Sequence, residues 1–572
     1  MDKILILDFG SQTTALIGRR IREAGVYTDI ICGDAPLTDA VLRDVKGIIL
    51  GGSPESVYEK GASPDPQIYT LGLPLLGICY GLQRMTVDNG GSVEALAVRE
   101  YGGVEVVLND VSKAKTGDKT AAFLEGFSDP LGVGRAPLAP KSSLRSLFAH
   151  FTAVFSATPP ALRASGGANC FRAWMSHGDT ITKLAPGFVE LASSKTGFPA
   201  VVAHESKPWF GLQFHPEVTH SEGGGAILEA FVFGVCGAAR SWTMKKYLEI
   251  AAGEIREKVG DEAVLLLISG GVDSTVAGAM LLKTLKPANV HLMYMDTGLM
   301  RKDETEAVTK TLQKLGAEHL HIIDCAKEFL EALSGKTDPE LKRRVIGDLF
   351  IQIQEREVAR LGLNSGYFLA QGTLYTDLVE SGKGVGNKAQ LIKSHHNVGS
   401  PLVAAKRAAG RIIEPLDRLY KDEVREMGRI LGIEDDIIRR HPFPGPGLAV
   451  RIPGEVTAEK CRILREADAV FIAELKKRYV SGTQKTLYDD IWQAFAVLLP
   501  VQSVGVAGDM RKYGWVLALR AVNSSDGMTA DVYPFPPRDL SEISTIITNK
   551  VPEIGRVCYD VSSKPPATIE WE

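Results

Sequence analysis

Short apolar runs, each leading toward a helix-like stretch, constrain the fold of this chain more than any other feature. Ile4–Leu7, Gly47–Leu50 and Leu73–Ile78 read as strands, and Thr14–Ala24 has helical spacing. Alternation of this kind through the first 240 residues is the α/β pattern. At 572 residues the chain exceeds one hydrophobic core, so three or four units of roughly 100–200 residues are expected.

A second α/β unit opens near Trp242, where an amphipathic helix to Val259 precedes the apolar strand Ala263–Ile268 and a glycine-rich turn. The strand Val290–Met295 follows and ends in Asp296. The tract His441-Pro442-Phe443-Pro444-Gly445-Pro446-Gly447 cannot continue a helix and marks another boundary. Beyond it, strands at Trp515–Val522 and Glu553–Val561 around a helix at Ser541–Lys550 suggest a small α+β unit. The expected domains are therefore 1–240, 241–441 and 442–572. In the first, the strand Val104–Leu108 gives way to a polar stretch, and residues 128–170, rich in Pro, Ala, Ser and Gly, read as a surface insertion.

The net charge of -4 gives no global attraction to nucleic acid or anionic lipid, so anionic ligands need local sites. Small-molecule partners are expected, with no nucleic acid and no membrane. Seven cysteines without metal-ligand spacing suit reduced thiols. Met1–Asp8 runs directly into strand-like sequence with no basic and apolar leader, and no apolar run approaches the ~20 residues of a membrane span. A soluble, cytoplasmic protein is expected.

The segment from Leu73 to Gly81 is an apolar strand entering a tight turn, with Gly77 and Gly81 two places either side of Cys79. This is the pattern of a nucleophile elbow, which lifts a thiol out of a sheet toward a helix N-terminus that favours thiolate. In Phe214-His215-Pro216-Glu217, Pro216 biases His215 to an extended conformation, and residues two apart then project to the same side. His215 can take the thiol proton while Glu217 holds its tautomer and stabilises the imidazolium.

With the opening Asp8-Phe9-Gly10-Ser11-Gln12, these motifs resemble the class I glutamine amidotransferase family. The resemblance implies a Cys79, His215, Glu217 triad and a glutamyl thioester. By position it implies an oxyanion hole from Gly51, Gly52 and the Tyr80 amide, with Gln83 beside the substrate.

After the strand ending at Ile268 comes Ser269-Gly270-Gly271-Val272-Asp273-Ser274-Thr275, then a helical run from Val276 to Leu285. Glycines let backbone amides close on a phosphate, the helix N-terminus favours an anion, and Ser274 and Thr275 add hydroxyl donors. The Gly-Lys-Ser/Thr ending of γ-phosphate-transferring loops is absent, and Asp273 is a hard oxygen donor for Mg²⁺. The loop resembles that of the N-type ATP pyrophosphatase family, which implies ATP cleaved to AMP and pyrophosphate. Asp296 is then a candidate ATP or metal neighbour. The acceptor is open at this point: a nucleotide, a dinucleotide, an amino acid or a tRNA base.

The rest of the chain narrows it. Asp338-Pro339-Glu340, Lys342-Arg343-Arg344, Gln371-Gly372-Thr373-Leu374-Tyr375, Ile392-Lys393-Ser394-His395-His396-Asn397 and the ending Ser563 to Glu572 resemble the GMP synthetase family. That likeness implies XMP as acceptor, bound by Arg343, Asp509, Arg511, Lys564, Thr568, Ile569 and Glu570. Cations suit its phosphate and carboxylates its purine N–H groups. Ala507 departs from the glutamine frequent in that family. Gly382 to Lys393 reads as a lid over the nucleotide, with Lys383 and Lys393 as phosphate neighbours and His395 and His396 just beyond. The resemblance also implies a homodimer through the C-terminal unit. The rival readings, another acceptor or a non-catalytic sensor, are opposed by the C-terminal motif and by the intact triad and loop.

Overall fold

A computed structural model of the chain describes residues 1–11, 13–59, 62–109, 170–363, 366–375, 377, 401–507, 510–524 and 529–572. They fall into two compact units, one spanning Met1–Tyr247 and the other Leu248–Tyr375 with 401–572.

The first unit is built on a nine-stranded sheet. Its strands are β1 Lys3–Asp8, β2 Tyr27–Cys32, β3 Val45–Leu50, β4 Leu75–Ile78, β5 Ser92–Leu108, β6 Cys170–Lys183, β7 Phe188–Ser194, β8 Pro199–His204 and β9 Trp209–Leu212. The order is β2-β1-β3-β4-β9-β8-β7-β5-β6. The first five positions pair in parallel and the rest antiparallel.

The central parallel strands are apolar along Ile4–Leu7, Gly47–Leu50 and Leu75–Ile78 because both faces are covered there. Ile4, Ile6, Ile49, Leu76 and Ile78 enter one core with Ile17 and Ile21 of the helix Thr14–Glu23. Leu5, Leu7, Ile48, Leu50 and Leu75 enter the other with Leu82 and Met85 of the helix Tyr80–Asp88. Each such fully buried side chain contributes about 1.5–3 kcal/mol. The strand expected at Val104–Leu108 is the end of β5, which reaches back to Ser92. The expected insertion lies outside the described residues except for Cys170, which opens β6.

The second unit contains a five-stranded parallel sheet of β10 Val264–Ile268, β11 Val290–Asp296, β12 His319–Asp324, β13 Phe368–Ala370 and β14 Ile412–Ile413, ordered β12-β11-β10-β13-β14. A four-stranded sheet follows, of β15 Gln493–Ala507, β16 Met510–Asn523, β17 Asp531–Val532 and β18 Ile554–Tyr559. The architecture is α/β followed by α+β, as the pattern of elements implies. One apolar core runs through both sheets, from Leu265 and Met293 through Leu448 and Phe471 to Leu517 and Ile547. The sequence boundary at 441/442 therefore falls inside one packed unit. Among the described residues no helix is long and apolar enough to cross a membrane.

Candidate functional site

Cys79 stands between β4 and the helix Tyr80–Asp88 with φ 53° and ψ -108°, a strained conformation for a residue with a side chain. The flanking glycines are required by close packing. A Cβ on Gly81 would lie 2.2 Å from the Leu50 carbonyl oxygen, and one on Gly77 2.6 Å from the Leu82 nitrogen. The Cys79 amide donates to the Leu212 carbonyl at 2.7 Å, which ties the elbow to β9.

β9 leads directly to the partner residues. His215 Nδ1 lies 2.7 Å from Glu217 Oε1. A carboxylate only accepts, so Nδ1 carries the hydrogen and Nε2 is left to exchange the thiol proton. Cys79, His215 and Glu217 are all buried. Burial pushes the His215 pKa down, but hydrogen bonds to Cys79 and Glu217 and the Glu217 charge outweigh it and hold the pKa up at about 10. The imidazolium needed after proton transfer is thus the favoured form.

Two residues that motif reading passed over also belong here. Gln213 Nε2 is 3.9 Å from Cys79 Sγ, and Thr13 Oγ1 is 3.4 Å from His215 Nδ1. Gln213 directly follows β9, and from there to Glu217 the chain bends and turns and is not extended as expected, so the convergence of Gln213, His215 and Glu217 does not come from period-two spacing. Gln83 donates from Nε2 to the Asp179 carbonyl at 2.8 Å and lies 3.4 Å from Gln213 Oε1.

The expected oxyanion donors need one correction. The Gly51 amide donates to the Leu7 carbonyl at 2.9 Å as a continuation of the β1–β3 ladder, so it is not available to a ligand. The Tyr80 amide is one of the unpaired donors in the first turn of its helix. Gly52 faces the site, where an added Cβ would press on Ser11 at 3.2 Å and meet the His215 ring at 3.6 Å.

In the second unit, the loop after β10 turns at Gly270, whose φ of 80° and Glu304 neighbour disfavour any side chain. The helix begins at Val272, a turn earlier than expected, so Val272, Asp273, Ser274 and Thr275 form its first turn. Gly271 in extended conformation serves as N-cap and leaves the helix N-terminus open to an anion. Ser274 and Thr275 hydroxyls donate to the Gly271 carbonyl, and Ser269 Oγ lies 3.1 Å from Ser274 Oγ. Gly372 packs so tightly on this turn that a Cβ would sit 3.2 Å from the Ser274 nitrogen.

Asp273 is not unaccompanied. Lys421, at the start of the helix Lys421–Ile430, contacts both carboxylate oxygens at 2.6 Å. Nothing in the local sequence announces this partner, which is 148 residues away. Asp296 is engaged on both oxygens, by the Gly298 amide at 3.0 Å and Thr305 Oγ1 at 2.7 Å, so it shapes the turn after β11.

The third set of residues is only partly assembled. Arg343 pairs with Glu340 on its own helix, and Arg511 is exposed on β16. The C-terminal segment, in contrast, is firmly held. Lys564 pairs by backbone with Ala530, while the carbonyls of Thr568 and Ile569 accept from Arg520 at 2.8 and 2.7 Å. Glu570 is clamped by Arg451 and Gln493, and Glu572 pairs with the buried Lys342. Lys342 rather than its neighbour Arg343 therefore faces the tail. Asp509, the Ala507 side chain, Lys383, Lys393, His395 and His396 lie outside the described residues.

Comparison with known proteins gives a consistent result. The glutamine amidotransferase class-I family matches residues 5–141 and 146–235, the NAD synthase family residues 245–362, and the GMP synthase C terminal domain residues 481–571. Similar curated proteins called GMP synthase (glutamine-hydrolyzing) include one from Lactobacillus gasseri, 43% identical over 100% of this chain and 98% of its own length. Another from Aquifex aeolicus is 44% identical over 100% and 99%. A third, from Methylibium petroleiphilum, is 45% identical over the full length of both.

Proposed function

The chain belongs to the glutamine-hydrolysing GMP synthase family, and from that premise we propose how its residues divide the work of making GMP, AMP, pyrophosphate and glutamate from XMP, ATP, glutamine and water. The observation that carries the reading is the His215 Nδ1 to Glu217 Oε1 contact of 2.7 Å beside a cysteine at positive φ.

His215 accepts the Cys79 proton, and the sulfur adds to the glutamine carboxamide carbon. The oxyanion so formed takes hydrogen bonds from the Gly52 and Tyr80 amides. Collapse expels ammonia, with His215 returning the proton, and leaves a γ-glutamyl thioester. Water, deprotonated by His215, then releases glutamate and restores the thiol. Gln83, anchored on Asp179, borders the substrate.

In the second unit the loop Ser269–Thr275 receives the ATP phosphates at the helix N-terminus. Transfer of AMP to the XMP carbonyl oxygen releases pyrophosphate, and ammonia then displaces AMP. Asp273 and Lys421 are the charged groups at this loop. Mg²⁺ ordinarily uses one or two carboxylates together with substrate phosphates. Asp273, half-buried at the loop, fits as that carboxylate; the ion would neutralise phosphate charge. Arg343, Arg511, Lys564, Thr568, Ile569, Glu570 and Asp509 are the proposed XMP neighbours, and Lys383, Lys393, His395 and His396 the proposed lid.

A homodimer is the proposed assembly, supported by an apolar surface on the β15–β16 arm. Val504, Val506, Met510 and Tyr513 are 50–80% exposed there. Seven cysteines without metal-ligand spacing support a reducing, cytoplasmic setting.

The test is turnover with glutamine against turnover with ammonium, both with XMP. Cys79→Ala should abolish the first and leave the second largely intact, with AMP and pyrophosphate appearing only when XMP is present. Loss of both activities in a folded variant would refute the division of labour.

A further inference from the structure

A buried charged pair lies beside the cysteine site and takes no part in the chemistry described above. His177, on β6, and Glu100, on β5, are 5% and 6% exposed, and His177 Nε2 is 3.1 Å from Glu100 Oε2. The contact lies off the hydrogen-bond axis, and among the described residues neither atom has a linear partner. On the other side of the ring, Nδ1 is 2.8 Å from the Asp179 carbonyl oxygen. A carbonyl only accepts, so Nδ1 carries a hydrogen. Nε2 faces the Glu100 carboxylate. Glu100 Oε1 also accepts from Thr196, and these hydrogen bonds with the His177 charge outweigh burial and hold the Glu100 carboxyl below its ordinary pKa.

Such a pair is poor value for stability, since desolvating two charges offsets most of their attraction. Its location indicates another use. The β5–β6 ladder shifts register between Ala95 and Glu100: Ala95 opposes Asp179, and Glu100 opposes His177. Five steps along β5 thus span two along β6, so the ladder is broken at Gly178, between the paired residues His177 and Asp179. β6 touches the cysteine site on both sides of this break. The Ser176 carbonyl is 4.0 Å from Cys79 Sγ, the Asp179 carbonyl receives Gln83, and the Trp174 carbonyl receives the His215 amide at 3.0 Å.

We infer that His177 and Glu100 are positioning residues for glutamine hydrolysis, bracing the break in the ladder and fixing the Ser176 and Asp179 carbonyls against Cys79 and Gln83. The inference rests on the reading of Cys79 as nucleophile.

The test compares Glu100→Gln with the double variant Glu100→Leu/His177→Leu in the full chain. In Glu100→Gln a neutral His177 keeps Nδ1–H on Asp179 and accepts an amide hydrogen at Nε2, so the geometry survives without the charges. The double variant removes both charges together, a change that is often neutral or stabilising when a buried pair becomes apolar. It should fold and retain ammonium-dependent synthesis. Its glutamine-dependent kcat/KM should fall by about ten- to a hundredfold, the scale of an ångström-sized misplacement. Glu100→Gln should stay within about threefold of the parent, less than the tenfold that corresponds to 1.4 kcal/mol.

A normal glutamine-dependent kcat/KM in the double variant, or equal losses in both variants, would overturn the inference. Glutamine-dependent activity persisting in Cys79→Ala would instead overturn the reading of the nucleophile, so the two failures are distinguishable.

Discussion

Arg451 and Glu570 meet as a two-point pair, Nε to Oε2 at 3.0 Å and Nη2 to Oε1 at 2.9 Å, with the guanidinium fully buried and the carboxylate at the edge of solvent. The rings of Phe495 and Phe443 stand 4.1 and 4.9 Å from the guanidinium carbon, and among the described residues Nη1 has no hydrogen-bond partner. Gln493 donates to the same Oε1 at 2.8 Å. The carboxylate is therefore fixed before any ligand arrives.

The two halves of this pair should respond unequally to truncation. Glu570→Ala leaves a buried cation without its counter-ion, whereas Arg451→Met leaves a carboxylate that still reaches water. Breaking a buried pair typically costs about 3–5 kcal/mol, so Glu570→Ala should lie in that range and Arg451→Met clearly below it. Denaturant unfolding of both variants measures the difference, and an equal or reversed order would contradict the burial argument.

The loop of the second unit gives a paired prediction. Asp273 and Lys421 hold each other at 2.6 Å. If the carboxylate serves Mg²⁺ and the ammonium serves phosphate, Asp273→Ala and Lys421→Met should each abolish XMP-dependent pyrophosphate release with either nitrogen source. Glutamine hydrolysis without XMP should be spared in both. Normal pyrophosphate release in Lys421→Met would reduce that residue to a structural counter-ion.

How much was legible in the sequence depended on how local the determining physics is. Ile4–Leu7 and Leu73–Ile78 announced strands because both faces are packed, which leaves every position apolar. Much of β5 did not, since Ser92–Gly103 mixes charged, small and apolar residues on a strand that serves as scaffold for β6. His215 and Glu217 were readable from the His-Pro-Glu tract, but the chain there turns after β9 and does not run extended, which is why the spacing argument missed Gln213. Lys421, Arg451, Lys342 and the Glu100–His177 contact were not, because tertiary folding alone brings them to Asp273, Glu570, Glu572 and each other. The helix at Val272 began earlier than expected because Gly271 caps it, and the glycines that mark a loop also hid a helix start.

The raised His215 pKa predicts a pH dependence of stability. The folded value is about 10 against an ordinary 6.5. A group whose folded pKa is raised stabilises fully below its unfolded pKa, and the contribution is lost as pH rises through the folded value. The stability gap between the parent and His215→Asn should therefore be largest below about pH 6.5 and shrink toward pH 10. Denaturant unfolding across that window tests it, and a gap that widens with pH would show that His215 is held neutral.

The C-terminal tail is expected to serve the XMP site rather than only to close the fold, and the structure decides which variant can test this. Termini are ordinarily dispensable. This one is not free to be removed cleanly: deletion of Lys564 to Glu572 would strip Glu570 from Arg451 and Glu572 from Lys342, leaving two fully buried cations uncompensated. Arg520 would keep Asp560 at 2.8 Å but lose the Thr568 and Ile569 carbonyls. The deletion should thus destabilise the second unit and abolish synthesis for a reason unrelated to substrate. Lys564→Ala is the cleaner probe. Its backbone bonds to Ala530 at 2.8 and 3.0 Å survive the substitution, so the tail stays docked. A charge-assisted phosphate contact is worth about 1.5–3 kcal/mol, so the XMP concentration needed for half-maximal rate should rise by roughly ten- to a hundredfold. Glutamine hydrolysis without XMP and the unfolding midpoint should not move. An unchanged XMP requirement in Lys564→Ala would make the tail a structural closure held by Arg451, Arg520 and Lys342 and would remove Lys564 from the substrate site.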